Sequence, residues 1–446
     1  MDHNPNQPYI DRFWNLIEAG ENIFLTGGGG TGKSYLTRQL IAANKDLVAV
    51  TASTGIAACN INGMTVFSWS GMGLGPGEND TDAGYYTKLY RNFNGALKNA
   101  SMRMGKKTIL VIDEISMLNG RVLNYLDYHL RQMRATDKPF GGMQVIVVGD
   151  FMQLPPVHKG TQEIDWAFNS RAWRDARFQM VDLKHVIRQQ DSEFAQMLNG
   201  IRFGELSPGD TMKLQFKVLP APGPEVCRIM TKNVDVDNWN DRQLMAMEGK
   251  MHRYVADVRG PSSQREKLIK NMITPKELIL KVGAKVMATC NNMAEGYFNG
   301  SMGRVVEMRE FEVDVDFEGI GVCTVEENEW SFDPDDPNTA TFKQIPLKLA
   351  WAITAHKSQG ATIQQAYVSI AECFEYGQAY VALSRCTTLD GLILASFNRS
   401  AIKHSEEAAA FYRNPAAYMN PGEPEKLLEK EETKLLGGSD SYVPSI

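Results

Sequence analysis

The 446 residues, 43% hydrophobic and 22% charged, have the make-up of an ordinary globular protein of two or three domains, each large enough for its own core. No apolar run reaches the roughly 20 residues a membrane-spanning helix needs, and the start MDHNPNQPY lacks a secretory layout, so no membrane role and a cytoplasmic location are expected. The net charge of −6 does not exclude a polyanionic partner, because residues 307–337 hold twelve acidic side chains and one basic one and the remainder is net positive.

In chain order, Ile10, Phe13, Trp14 and Ile17 repeat at helical spacing, and Gly20 can end that helix. Then come NIFLT (22–26), a glycine run and KSYLTRQLIAA: strand, loop, helix. LVAVT (47–51), TILVIDE (108–114) and MQVIVVGD (143–150) are further β-branched runs that end in polar residues. Continuous apolar strands alternating with helical segments predict a parallel sheet covered on both faces, in a first domain reaching residue 182. Within it, the turn-rich GMGLGPGENDTDAG (71–84) and the basic, aromatic stretch after it form a small insertion at about 62–104.

A second alternating pattern starts at VCRIM (226–230) and resumes with LAWAIT, QAYVSI and GLILAS, giving a second domain from 183–276 and 344–419. Between its halves, 277–343 carries alternating strand signals with NG and DP turns, a compact β insertion. Residues 420–446 turn to Glu, Lys, Gly and Ser and are expected to be a flexible tail. The six cysteines, at 59, 227, 290, 323, 373 and 386, form no CxxC pair and are expected to be reduced packing residues.

GGGGTGKS, residues 27–34, fits G-x-x-x-x-G-K-S/T directly after a strand and opening a helix. In such a loop the backbone N–H groups from Gly27, Gly28, Gly29, Gly30, Thr31 and Gly32 cradle a polyphosphate, Lys33 reaches the β- and γ-phosphates, and Ser34 ligates Mg²⁺. ATP and Mg²⁺ are the expected cofactors. Asp113 ends a buried strand, where it can hold the magnesium shell, and Glu114 beside it can deprotonate water, so hydrolysis is expected. Gln153, after the next strand, is placed to sense the γ-phosphate. Arg188 and Arg385 lie beyond the first sheet, and each is either a local ion pair or a guanidinium aimed at the γ-phosphate from another domain.

The order of GGGGTGKS, VTASTGIAACNINGMTVFSWSGMGLG, VIDEISML, VVGDFMQLPPV, LKHVIRQQDSEFAQMLNGIRFGE, AWAITAHKSQGAT and GQAYVALSRCTTLDGL resembles that of the Pif1-like DNA helicases of superfamily 1B, over residues 20–415. The resemblance implies two RecA-like P-loop domains with ATP between them, an SH3-like insertion in the second, and 5′-to-3′ movement on single-stranded DNA. It implies that Arg188 and Arg385 are arginine fingers and that Gln153 couples nucleotide to DNA. It also places Thr54, Gly55, His356, Lys357, Ser358 and Gln359 along the DNA path and leaves Gln7 to read adenine; Phe67 and Trp69 are either a pair that stacks on bases or aromatics buried under the insertion. The family has histidine where Phe67 stands, so stacking replaces a hydrogen bond there. Expected partners are single-stranded DNA, forked or tailed duplexes, G-quadruplexes or RNA–DNA hybrids and a replication protein, with the chain monomeric. A reading from another class is a P-loop ATPase switch that remodels a protein partner; stimulation of hydrolysis by single-stranded DNA separates the two.

Overall fold

The computed structural model describes residues 4–419 apart from 73–83, 86, 88, 90–94, 158–162, 190, 231, 293, 333–337, 355–362 and 372. Among the described residues six strands build the first lobe: β1 (Ile23–Gly27), β2 (Val48–Ala52), β3 (Met64–Thr65), β4 (Ile109–Asp113), β5 (Gln144–Val148) and β6 (Gln179–Leu183). All pair in parallel, in the order β3-β2-β4-β5-β1-β6. Their continuous apolar character follows from burial on both faces. In β1, Ile23 and Leu25 join Phe13, Leu36, Leu40 and Val111 on one side, while Phe24 faces Leu110, Leu126 and Trp173 on the other. Parallel strands align their carboxyl ends, so the segments after β1, β4 and β5 converge at one edge, where open α/β sheets bind ligands.

The second lobe has a four-stranded parallel sheet, with Ala352–Thr354, Cys227–Met230, Ala366–Ser369 and Leu392–Ser396 in that spatial order. Helices Ser192–Phe203 and Gln378–Leu383 pack on it through Phe194, Met197, Ile201, Val381 and Leu383.

The β insertion begins earlier than the 277 read from the alternation. Strand His252–Val255 pairs with Glu277–Leu280, and Asp257–Arg259 pairs with Thr341–Gln344, so the small sheets recruit chain from before that boundary. Its larger part is a five-stranded antiparallel sheet in which Met302–Met308, Glu312–Phe317 and Gly321–Glu326 are successive neighbours. Acidic side chains crowd there, and Arg309 serves Glu307, Glu312 and Asp314 together.

The chain's last described segment departs further from the expected division. Helix Glu406–Arg413 leaves the second lobe and buries Ala408, Ala409 and Phe411 in the first. The Phe411 ring lies 4.6 Å from that of Phe168 and 5.4 Å from that of Phe151, within an aromatic group that also holds Phe24, Trp166 and Trp173. The short run EEAAAFYR at 406–413 does not say by itself which lobe its apolar side chains cover.

Candidate active site

The loop after β1 is shaped by glycine. Gly30 has φ of 82°, and a Cβ there would sit 2.5 Å from Cβ of Arg188, so only glycine permits this approach. Lys33 folds back over the loop, its Nζ donating to the carbonyls of Gly27 at 2.7 Å and Gly28 at 2.9 Å. Thr31 Oγ1 donates to Gly28 O at 3.0 Å. A cavity of about 590 Å³ opens here, lined in part by Gly32, Lys33, Ser34, Asp113, Glu114 and Arg188. Its size suits a nucleotide.

Asp113 ends β4 and accepts the backbone N–H of Glu114 at 2.9 Å through Oδ1. Glu114 itself takes the left-handed conformation, φ 53° and ψ 48°, costly for a non-glycine residue, and Ser53 Oγ holds its carbonyl at 2.7 Å. That turn aims two carboxyl groups at one cavity. Burial pushes Glu114 up to about 7, with Asp113 adding to the rise and Lys33 and Arg385 opposing it. Burial likewise lifts Asp113 to about 6, against its bond from Glu114 and the charges of Lys33 and Arg38. Lys33 is held below its ordinary value by burial, and the strongest opposing charge is Asp150.

Two guanidiniums reach this edge. Arg188 follows β6, and its backbone N–H and that of Ile187 donate to Gly30 O at 3.1 and 2.8 Å. Its Nη1 donates to Ser384 O at 3.2 Å. Arg385, 2% exposed at the end of helix Gln378–Leu383, donates from Nε to Val381 O at 2.8 Å. Burial, then repulsion from Arg188, lowers Arg385 to about 9, with Tyr380 and Glu114 opposing. Two mutually repelling cations buried beside a phosphate-cradling loop define a place where anionic charge is stabilised. Gln189 Nε2 joins the lobes too, donating to Ser384 O and Cys386 O, each at 3.0 Å.

Gln153 is buried beside this site, but its Nε2 donates to Asp150 Oδ2 at 3.2 Å. Asp150 is the hub that sequence reasoning missed. Arg202, from helix Ser192–Phe203, grips it through Nε at 3.0 Å and Nη2 at 2.7 Å, and Tyr412 donates its hydroxyl to Oδ1 at 3.2 Å. The Tyr412 hydroxyl also shares a 2.7 Å hydrogen bond with Thr26 Oγ1, just before the glycine loop. Burial pushes the Asp150 carboxyl up, but the charges of Arg202 and Lys33 and the hydrogen bonds from Arg202 and Gln153 together hold it below its ordinary value. Removing one partner of a buried pair strands the other charge, so Arg202→Ala should cost about 3–5 kcal/mol of unfolding free energy. Urea denaturation measures this; a loss under about 1 kcal/mol would mean that water satisfies Asp150.

The remaining expected residues fall variously. Gln7 does not face the cavity; it is exposed and donates to Asp11 Oδ1 at 2.7 Å. Its neighbour Asn6 is the one aimed inward, donating to Thr31 O at 3.2 Å and His185 O at 2.7 Å. Thr54 caps helix Gly55–Asn60 through its side chain, which accepts from Ala57 N. Gly55 lies against Asn271 of the helix Ser262–Asn271, where a Cβ would meet the amide at 2.3 Å. Phe67 is half-buried against the first core, and Trp69, 2% exposed, belongs to that core. Of the two readings of Trp69, the burial favours packing over stacking on a base, since its indole is already covered. His356, Lys357, Ser358 and Gln359 lie outside the described residues.

The fold and site define a two-lobed P-loop nucleotide-binding protein of the RecA-like type. The PIF1-like helicase family model matches residues 10–211. An ATP-dependent DNA helicase Pif1 from Psychrobacter sp. (strain PRwf-1) is 36% identical over 87% of this chain and 68% of its own length. The chain spans 55–68% of the length of the curated relatives it matches. Among solved structures, Bacteroides Pif1 in complex with ADP-AlF4 superposes with a TM-score of 0.78 at 30% identity, covering 92% of this chain and 96% of that one. Bacteroides Pif1 with ADP-AlF3 and single-stranded DNA superposes at 0.63, also with 30% identity, covering 91% and 96%. The chain belongs to the PIF1-like helicase family.

Proposed function

We propose that this protein is an ATP-dependent DNA helicase and translocase that couples hydrolysis between its lobes to 5′-to-3′ movement on single-stranded DNA. The observation that carries this reading is the convergence of Arg188 and Arg385 on the edge that holds Lys33, Asp113 and Glu114. Charge from beyond the first sheet makes hydrolysis depend on how the lobes meet, and a strand gripped across both lobes changes that meeting. Glu114 is the carboxylate able to accept the proton of the attacking water. Ser34 and Asp113 offer hydroxyl and carboxylate oxygens to one cavity, the hard donor set that suits Mg²⁺, which would neutralise charge on the β- and γ-phosphates.

The substrates proposed are single-stranded DNA and forked or tailed duplexes, with G-quadruplexes and RNA–DNA hybrids as obstacles, acting as a monomer in the cytoplasm with a replication protein as partner. Relatives solved with single-stranded DNA and at forked duplex DNA support the first two. Contacts to the phosphate backbone and base stacking would make binding tolerant of sequence and sensitive to salt. No observation favours the protein-remodelling alternative. The test is ATPase rate against single-stranded DNA concentration, with direction read from duplexes tailed at either end. Stimulation by at least about 10-fold is expected, a part of the roughly 10³- to 10⁵-fold that a completed arginine contact brings; turnover indifferent to DNA rejects the reading.

A further inference from the structure

Tyr380 sits in the second lobe, on helix Gln378–Leu383, yet its hydroxyl accepts a hydrogen bond from the backbone N–H of Gly29 at 2.7 Å. That N–H belongs to the loop whose amides cradle polyphosphate, so an uncharged oxygen from the far lobe holds one of the donors a phosphate oxygen would take. The glycine run makes room for it. The G-x-x-x-x-G-K-S pattern demands glycine at 27 and 32 but not at 28 or 29. A Cβ on Gly28 would come within 3.1 Å of the Tyr380 oxygen, and one on Gly29 within 3.3 Å of Ser384 Oγ and 3.5 Å of the same hydroxyl. Of the three extra glycines, Gly28 and Gly29 thus leave room for the second lobe, and Gly30 for Arg188.

We infer that the Tyr380 hydroxyl is a built-in substitute for a phosphate oxygen, holding the Gly29 amide until the polyphosphate of a nucleotide displaces it. The inference rests on the reading of residues 27–34 as the polyphosphate loop. It makes Tyr380 a positioning residue with a defined consequence. Tyr380, Ser384 and Arg385 share one short segment, which the Gly29 bond ties to the first lobe. Breaking that bond removes one tie on the segment carrying Arg385 as the phosphates arrive and leaves the bonds from Arg188 and Gln189 to Ser384 O and Cys386 O, so occupancy of one lobe is reported to the other.

The test is Tyr380→Phe in the full chain, which removes the oxygen and keeps the ring's packing. Because the hydroxyl competes with phosphate for one amide, its loss should tighten MgADP binding about 2- to 10-fold, the worth of one net hydrogen bond. Amide exchange at Gly29 in the nucleotide-free protein should quicken by a similar factor and be unchanged when MgADP is bound. Unaltered or weakened MgADP affinity, or Gly29 exchange that does not respond, overturns the inference. Failure of wild-type protein to bind MgADP would instead reject the polyphosphate loop itself. Absence of DNA stimulation would reject the helicase reading while leaving this measurement intact.

Discussion

Arg385→Ala should lower DNA-stimulated ATP turnover by about 10³- to 10⁵-fold while leaving nucleotide binding largely in place, the loss seen when an arginine finger is withdrawn from phosphoryl transfer. The magnitude follows from where the charge builds. Negative charge grows on the γ-oxygens only as the bond breaks, so a cation held nearby in a desolvated site contributes chiefly to the transition state. Arg385 meets the requirement of desolvation, since burial and Arg188 together bring it down to about 9. The same electrostatics separates a catalytic loss from a folding defect. Removing a cation whose burial is unfavourable offsets the packing lost with a fully buried side chain, so the variant should still unfold cooperatively, as thermal denaturation measured beside turnover checks. Lysine is not expected to rescue activity, because a compact ammonium lacks the planar fork. Normal stimulated turnover in Arg385→Ala would end the assignment.

Lys33→Ala should abolish turnover, by a factor of about 10³ or more, and also weaken nucleotide binding. Lys33 is the cation that opens the helix after the glycine loop, and its bonds to Gly27 O and Gly28 O show that its reach covers the cradle. Phosphate oxygens are better acceptors than these carbonyls, being charged, so the ammonium exchanges a neutral partner for an anionic one when nucleotide enters. Alanine removes that gain in both the ground and the transition states. Single-turnover hydrolysis with excess enzyme isolates the chemical defect, and residual activity above about a tenth of wild type would show that another cation carries the role.

Much of this site was legible because its chemistry is carried by short contiguous patterns. GGGGTGKS and TILVIDE each declare a strand, its end and the residues exposed there. What was not legible depends on chain segments far apart. Asp150 follows an apolar strand as any polar terminator would, and nothing near it announces that Arg202 and Tyr412 arrive from 52 and 262 residues away. Gln7 and Asn6 are adjacent polar residues at a helix start; which one turns inward was decided by the distant His185 backbone. Trp69 looked equally able to stack on a base or to fill a core, since both use the same apolar face. The insertion boundary failed for a related reason: a strand such as Asp257–Arg259 reveals its partner, Thr341–Gln344, only once the sheet has formed.

The return of helix Glu406–Arg413 to the first lobe means that, among the described residues, the polypeptide passes between lobes twice, once after Leu183 and again before Ser405. A single tether would let one body swivel freely about it. Two spaced tethers confine the bodies to swinging like the covers of a book along the line that joins them. Opening and shutting then becomes the cheapest collective motion available, and torsion that would pull Phe411 from its aromatic nest is the dearest.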